Sequence, residues 1–241
     1  MLGIIAAGGL GTRMDSDLPK PLTLLPSGKT FLSTAIEKLI PQVDEIAIVT
    51  SMAVQNHKNF LRDERCNYRI QMHPTGMGDA VFSAADLIAV HEDVLILWCD
   101  QVGITEQTIS NSIAAHKSLE KDFKCTIPLI TKSSMYTHFE FRDGHLENVF
   151  QAREGDHAPE PCNSDVGLFL CTGGKEFITA WIDGGREFSR GRITLEYNFI
   201  PFLKFLGTIG WAFRAVEAQE MDGVGVNNPN ELHKAYKRLI R

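Results

Sequence analysis

Short apolar runs alternate with segments of helical periodicity along the first half of the chain. Residues 2–7 form an uninterrupted apolar run of strand length, whereas residues 31–40 repeat their apolar positions at helical spacing. The alternation continues with strand-like runs at 45–50, 94–98 and 125–130 and with helical patterns at 78–89 and 105–118. Repeated strand and helix units of this kind predict an α/β fold with a mostly parallel sheet.

The second half has a different pattern. Residues 139–141 and 146–151 flank Arg142-Asp143-Gly144-His145, which is a hairpin turn signal, and the polar residues 154–163 predict an exposed loop. The remaining predictions are a strand at 166–171, a helix at 194–205, a strand at 211–217 and a helix at 230–241, capped by Asn228 or Asn230. We therefore predict a single domain, residues 1–241, with a small β-rich inserted lobe.

The amino-acid composition argues against several classes of function. A hydrophobic fraction of 44% and a net charge of −6 indicate a globular protein without a general nucleic-acid-binding surface. The five cysteines are scattered without a CxxC pair, and we expect no signal peptide, because glycines interrupt the first apolar run. No run approaches the roughly 20 apolar residues that span a bilayer. We expect a cytoplasmic protein with reduced thiols and no membrane association.

The most informative segment directly follows the first strand. Gly8, Gly9 and Gly11 lie within four residues, and glycine allows the backbone to approach a ligand and to present N–H groups to phosphate oxygens. Arg13 and Lys20 add positive charge. This combination predicts a phosphate-binding loop; the alternative is a tight strand-to-helix turn with two surface cations.

Two better-known phosphate motifs do not fit. A GxGxxG fingerprint starting at Gly9 requires glycine where the chain has Met14. The string Ser27-Gly28-Lys29-Thr30 is similar to the end of a Walker A loop, but the first glycine of that motif falls on Thr23.

The segment Gly9-Leu10-Gly11-Thr12-Arg13-Met14 with Pro19-Lys20 resembles the signature of the sugar-phosphate nucleotidyltransferases. The continuation Ser16-Asp17-Leu18-Pro19-Lys20 is most similar to the uridylyltransferase domain of bacterial N-acetylglucosamine-1-phosphate uridyltransferases. This resemblance implies the Rossmann-like fold of the nucleotide-diphospho-sugar transferases. It also implies a nucleotide-binding half, about 1–130, and an acceptor-binding half, about 131–241.

Three more segments extend the resemblance. Gln71 with Gly76-Met77-Gly78-Asp79-Ala80 is similar to the family's base-reading stretch. Trp98-Cys99-Asp100 resembles the strand end whose aspartate binds the catalytic metal, and Gly225-Val226-Asn227-Asn228 resembles the segment that supplies the second ligand.

The resemblance implies roles for individual residues. The catalytic residues would be Arg13, Lys20 and Asp100, and the triphosphate would be held by Ala7, Gly8, Gly9, Leu10, Gly11 and Thr12. The base would be read by Gln71, Gly76 and Met77. Asp100 and Asn227 would hold Mg²⁺, with Mn²⁺ as the alternative cation.

The acceptor half departs from the N-acetylglucosamine pattern. Met135-Tyr136-Thr137-His138-Phe139 stands in place of a Gly-Tyr-Gly-Arg-like segment, Gln151 replaces a glutamate, and Asp165-Val166-Gly167 replaces Asn-Thr-Gly. Tyr197 lies in a segment similar to the family's Glu-Tyr-Tyr. We expect the acceptor to contact Tyr136, Thr137, His138, Gln151, Asp165 and Tyr197. An unpaired buried polar group costs about 1–3 kcal/mol, so these changes argue against N-acetylglucosamine 1-phosphate.

The sequence therefore predicts a Mg²⁺-dependent nucleotidyltransferase. It would transfer UMP from UTP to a sugar 1-phosphate or a related phosphorylated small molecule, and would release pyrophosphate. No hexapeptide repeat occurs in the 241 residues, so we expect no acetyltransferase activity. Two alternatives remain: a cytidylyl- or guanylyltransferase acting on a non-sugar phosphate, and a catalytically silent nucleotide-binding regulatory module. No zinc-site spacing or nucleophile motif occurs, so covalent catalysis is not expected.

Overall fold

The computed structural model describes residues 1–9, 11, 14, 16–118, 123–134, 136–142 and 144–240. The strands are β1 (Leu2–Ala7), β2 (Glu45–Thr50), β3 (Cys66–Ile70), β4 (Asp93–Trp98), β5 (Phe123–Lys132), β6 (Thr137–Arg142), β7 (His145–Gln151), β8 (Cys162–Asp165), β9 (Leu168–Thr172) and β10 (Ala212–Glu217). The α-helices are α1 (Phe31–Leu39), α2 (Met52–Gln55), α3 (Met77–Phe82), α4 (Ala85–Ile88), α5 (Glu106–His116), α6 (Gly174–Ala180), α7 (Arg186–Phe188), α8 (Phe199–Thr208) and α9 (Pro229–Leu239).

Eight strands form one mixed sheet in the order β10-β5-β9-β4-β1-β2-β3, with β8 paired to β5. Strands β1, β2, β3 and β4 run parallel, whereas β9 runs antiparallel to both β4 and β5. Strands β6 and β7 form a separate two-stranded hairpin. The predicted α/β, Rossmann-like fold with a mostly parallel sheet is confirmed.

Helices cover both faces of the central sheet. In β1, Leu2 and Ile4 point to one core, which contains residues of α3, α4, α6 and α8. The alternate residues Ile5 and Ala7 point to the other core, which contains residues of α1, α5 and α9. A strand buried on both faces requires apolar residues at every position, which explains why β1 appears in the sequence as a continuous apolar run.

Helix starts follow ordinary capping chemistry. Thr30 and Ser33 form a capping box at the start of α1. Asn228 caps α9, because its side chain accepts a hydrogen bond of 2.9 Å from the Glu231 amide. Of the two predicted caps, Asn228 is therefore correct and Asn230 is not. Among the described residues, no helix is long and apolar enough to cross a membrane.

Several element predictions were wrong in part. The helix predicted at 78–89 is two short helices, α3 and α4, and neither β3 nor α6 was predicted. The helix predicted at 194–205 begins only at Phe199, because Tyr197 forms a β-bridge with Arg190 and Leu195 has a positive φ of 59°. The loop predicted to be exposed at 154–163 begins with a buried glutamate, Glu154, and its last two residues belong to β8.

Candidate active site

A cleft of about 480 Å³ opens at the carboxyl ends of β1 and β4. These strands are parallel neighbours, so the residues that follow them meet at one edge of the sheet. Ala7 and Gly8 line the cleft from β1, and Cys99 and Asp100 line it from β4. Ligands bind at this edge in open α/β sheets, so the cleft is the candidate active site.

The glycine loop forms one wall of the cleft. Gly8, Gly9 and Gly11 all line it, and a Cβ built on Gly9 would meet no atom within 4 Å. Gly11 has a φ of +63°, and a Cβ there would lie 2.8 Å from Cβ of Lys20. The glycine at position 11 therefore allows Lys20 to approach the loop. The predicted residues Leu10, Thr12 and Arg13 lie outside the described residues.

Lys20 joins the two predicted metal-binding residues. Its Nζ lies 2.5 Å from Oδ2 of Asp100 and 3.3 Å from Oδ1 of Asn227. The Val226 amide donates a hydrogen bond of 3.0 Å to the Asp100 carbonyl, and the Asn227 amide donates one of 2.6 Å to Oε2 of Glu231. The contact between Val226 and Asp100 thus joins the two segments, and Lys20 contacts both Asp100 and Asn227.

The predicted base-reading residues occupy another wall. Gln71, Gly76 and Met77 all line the cleft. The Gln71 Nε2 donates a hydrogen bond of 3.0 Å to the Gly76 carbonyl, and the Gln71 backbone amide donates one of 2.8 Å to the Thr50 carbonyl. The side chain of Gln71 is therefore held at the end of β2, with its Oε1 facing Gly8.

The predicted acceptor residues separate into two groups. Tyr136, Thr137 and Gln151 line the cleft, whereas His138, Asp165 and Tyr197 do not.

Each residue of the second group has a structural partner. His138 is buried, and its Nδ1 accepts a hydrogen bond of 3.0 Å from the Asn163 amide. Asp165 accepts one of 2.7 Å from Oγ1 of Thr137; burial raises the pKa of Asp165, and this hydrogen bond opposes the rise. The ring of Tyr197 lies under the guanidinium of Arg186. The structure thus places Asp165 one residue behind the cleft wall, where it orients Thr137.

Comparison with known proteins identifies the family. Residues 3–156, more than half of the chain, match the model of the MobA-like NTP transferase domain. The chain belongs to the MobA-like NTP transferase family. It is therefore a nucleotidyltransferase, as predicted.

Three relatives of this NTP transferase are each named bifunctional protein GlmU. The protein from Jannaschia sp. (strain CCS1) is 26% identical and covers 96% of this chain and 50% of its own length. Those from Gluconobacter oxydans (26%) and Thermosipho melanesiensis (23%) cover 98% and 100% of this chain, and each aligns over 51% of its own length. The chain thus spans about half the length of the curated relatives it matches. The predicted resemblance to a uridylyltransferase domain is confirmed.

NTP transferases of this family generally use a divalent cation such as Mg²⁺. Oδ1 of Asp100 is buried and accepts no hydrogen bond within the described part of the chain, which is the state expected of an oxygen reserved for a ligand. No group of three or more His, Cys, Asp or Glu residues that could hold a metal occurs in the described ranges. The oxygens of Asp100 and Asn227 fit Mg²⁺, which keeps several waters and shares its remaining positions with substrate phosphates.

The sequence interpretation missed several residues of this NTP transferase that line the cleft. They are Gln101, Arg153, Thr194, Glu196 and Asn198. Arg153 forms an ion pair with Glu196 through its Nη2. Two signals were available: Arg153 follows Gln151 by two residues, and Glu196 and Asn198 flank Tyr197.

Buried Glu154 holds the loop that carries three of these residues: Thr194, Glu196 and Asn198. Its carboxylate accepts hydrogen bonds of 2.8 Å from the Ile193 amide, 2.5 Å from Oγ1 of Thr194 and 3.3 Å from Nδ2 of Asn198. Burial alone would raise the pKa of Glu154, but the hydrogen bonds from Thr194 and Ile193 hold it below its usual value. An ionised Glu154 thus fixes Thr194 and Asn198 at the cleft.

Proposed function

We propose that the chain transfers a nucleoside monophosphate, UMP from UTP, to a phosphorylated small molecule and releases pyrophosphate. The observation that carries the proposal is the set of residues that line this cleft. Lys20, Asp100 and Asn227 lie together, Gln71 and Gly76 line one side of the cleft, and polar residues of the acceptor half line the other.

The donor base is proposed from the hydrogen bonds of Gln71. Its Nε2 donates to the Gly76 carbonyl, which leaves Oε1 as an acceptor at the cleft wall. The N3–H of uracil is a donor that matches such an oxygen. The exocyclic amino group of cytosine is also a donor, so CTP is the second candidate, supported by the same atom.

The acceptor is proposed to be anionic and to carry hydroxyl groups. Arg153 is a guanidinium at the cleft, and guanidinium groups bind phosphate oxygens with two parallel hydrogen bonds. Gln151, Thr194 and Asn198 line the same cleft and provide neutral donors and acceptors suited to hydroxyl groups. A sugar 1-phosphate has both features, and so does a phosphorylated polyol.

The chemistry requires positioning and charge neutralisation. An acceptor phosphate oxygen forms a bond to the α-phosphorus of the NTP, the bond to the bridging oxygen of the β-phosphate breaks, and pyrophosphate departs with that electron pair. Nucleophile and leaving group are already anionic, so no general base is required. In this proposal the Lys20 ammonium stabilises charge at the α-phosphate, and Arg13 keeps its predicted role on pyrophosphate. Mg²⁺, when bound by Asp100 and Asn227, supplies further neutralisation of phosphate charge.

The test is pyrophosphate release from each of the four NTPs, with and without Mg²⁺, against a panel of sugar 1-phosphates and alcohol phosphates. We expect release with UTP and one acceptor class, and loss of about 10³-fold in rate on Asp100→Ala. The matched control is Asp86→Ala, because Asp86 is an exposed aspartate that pairs with Arg69 outside the cleft.

Three outcomes separate the candidates. Release with CTP alone would replace UTP by CTP as the donor. Equal rates in the Asp100→Ala and Asp86→Ala variants would contradict the assigned site. NTP binding without Mg²⁺-dependent pyrophosphate release across the panel would favour a regulatory nucleotide-binding module.

A further inference from the structure

An ion pair outside the cleft joins the two walls that the proposed substrates would contact. Arg186 donates hydrogen bonds of 2.8 and 2.9 Å to the two carboxylate oxygens of Asp79, which lies in the first turn of α3. The same guanidinium lies 3.5 Å from the centre of the Tyr197 ring. Neither Asp79 nor Arg186 lines the cleft.

Backbone contacts continue this connection. The Tyr197 amide donates a hydrogen bond of 2.7 Å to the Thr75 carbonyl, and the Gly78 amide donates one of 2.8 Å to the Tyr197 carbonyl. A Cβ on Gly76 would lie 2.4 Å from the Tyr197 carbonyl oxygen. Residues 71–78, which include the base-reading wall, therefore lie directly on the loop of residues 189–198.

The loop of residues 189–198 presents the acceptor wall. Thr194, Glu196 and Asn198 line the cleft from it. The loop is closed on itself, because the Asn198 amide donates a hydrogen bond of 2.9 Å to the Ser189 carbonyl. A displacement of Tyr197 would therefore move both walls, and Arg186 is the side chain that holds Tyr197 and Asp79 together.

We propose that Arg186 is a positioning residue that couples donor binding to the ordering of the acceptor loop, residues 189–198. This role rests on the proposed function, since it assumes that a nucleotide contacts residues 71–77. A ligand that immobilises one wall lowers the entropic cost of immobilising the wall connected to it. Each substrate should therefore increase the affinity for the other substrate. Both the two-pronged pairing with Asp79 and the stacking on Tyr197 require a guanidinium, which lysine does not provide.

The test is hydrogen exchange of the backbone amides with and without α,β-methylene-UTP and Mg²⁺. In the wild type we expect the nucleotide to slow exchange about tenfold in residues 71–78 and also in residues 189–198. In Arg186→Gln and in Asp79→Asn, the nucleotide should still slow exchange in residues 71–78. It should no longer slow exchange in residues 189–198. Arg186→Lys should behave like Arg186→Gln, because it keeps the charge but loses the fork and the stacked plane.

Arg69→Gln is the matched control. Arg69 forms an equivalent fork with Asp86, at 3.2 and 2.5 Å, away from the cleft, and both protections should persist in that variant. Protection of residues 189–198 that is equal in the wild type, Arg186→Gln and Asp79→Asn would overturn the proposed role. Absence of protection at residues 71–78 in the wild type would instead contradict nucleotide binding at this cleft, and the role of Arg186 with it.

Discussion

Lys20 holds the carboxylate that the proposed metal would require. Its ammonium nitrogen lies 2.5 Å from Oδ2 of Asp100 and also contacts Asn227, while Oδ1 of Asp100 has no hydrogen bond within the described ranges. A cation held by Oδ1 of Asp100 and by Asn227 would therefore lie close to the Lys20 ammonium, which repels it and competes with it for the Asn227 oxygen. Nucleotide phosphates offer Lys20 another anionic partner, which relieves that competition during turnover.

This competition gives an unusual prediction for Lys20→Met. Loss of a positive charge should increase the affinity for Mn²⁺ about tenfold in the absence of nucleotide, because no ammonium remains on Asp100. The same change should lower turnover about 10³-fold, since a cation at the α-phosphate is lost. Electron paramagnetic resonance measures free Mn²⁺ directly, and Lys29→Met, at an exposed lysine paired with Glu37, is the control. Unchanged or weaker Mn²⁺ binding by Lys20→Met would contradict the competition.

Gly76 allows a second prediction at the residue scale. Its backbone (φ 128°, ψ 170°) belongs almost only to glycine, and a Cβ would lie 2.4 Å from the Tyr197 carbonyl oxygen. Gly28 also has a positive φ, +80°, but a Cβ there would meet no atom within 4 Å. We expect Gly28→Ala to lower the free energy of unfolding by about 1 kcal/mol, from strain alone. Gly76→Ala should lower the free energy of unfolding, measured by urea denaturation, at least twice as much. It should also raise the KM for NTP about tenfold. Equal losses of unfolding free energy in the two variants would show that the contact with Tyr197 is unimportant.

The sequence predicted the nucleotide side of the site better than the acceptor side. Gly8, Gly9, Gln71 and Asp100 lie in short motifs next to strand ends, so a local pattern was sufficient to place them at the cleft. Arg153 reaches the cleft through its pairing with Glu196, a residue of another element. The sequence places Arg153 and Glu196 next to predicted acceptor residues, but only tertiary packing brings the two side chains together.

At the scale of elements, α1 contains a partly buried lysine. Lys38 donates a hydrogen bond of 2.9 Å to the Val102 carbonyl, and burial lowers the pKa of Lys38 to about 8, against opposing effects of Asp222 and Glu106. Between pH 8 and pH 10.5 the unfolded chain therefore binds more protons at this position than the folded chain. The contribution of Lys38 to the free energy of unfolding consequently rises with pH across that interval.

We therefore expect Lys38→Met to change the pH dependence of folding. The stability of the wild type relative to this variant should rise by about 2 kcal/mol between pH 7.5 and pH 10, since one pKa unit corresponds to about 1.4 kcal/mol. Urea denaturation at the two pH values measures the difference, with the exposed Lys234→Met as control. A difference independent of pH would show that Lys38 titrates normally in the folded protein.

Elements with a strong apolar pattern were predictable, and those determined by tertiary contacts were not. β1, β2 and β4 are buried on both faces and gave continuous apolar runs. β3 is the last strand of the sheet and contains Asn67 and Arg69, so its pattern is too polar to be predicted as a strand. Residues 194–205 as a whole are apolar enough to predict a helix, but hydrogen bonds to Glu154 and Ser189 hold residues 194–198 as a loop.

At the scale of the whole molecule, strands from both sides of residue 130 belong to one sheet. β9 and β10 of the second half lie beside β4 and β5 of the first. Trp98, Trp181 and Trp211 are all buried in the same core. The single domain predicted from the sequence should then unfold in one transition, with coincident curves from tryptophan fluorescence and far-ultraviolet circular dichroism. Separated curves would indicate two independently folding units.

The roles proposed for the base-reading wall and the acceptor wall depend on which atoms react. The proposed reaction requires an oxygen of the acceptor phosphate to attack the α-phosphorus of the NTP, with Lys20 and Asp100 paired in the same cleft. An attack by water, or an attack at the β- or γ-phosphorus, would need a different arrangement of the same residues.

The most direct measurement follows the oxygen atoms of the acceptor. The acceptor identified in the pyrophosphate-release panel is prepared with ¹⁸O in its phosphate and used in the reaction. Mass spectrometry then measures the masses of the products. The proposed mechanism predicts that the diphosphate-linked product retains all of the label, including the new bridging oxygen, and that pyrophosphate contains none. Label in pyrophosphate, or an unlabelled nucleoside monophosphate in place of the linked product, would contradict it.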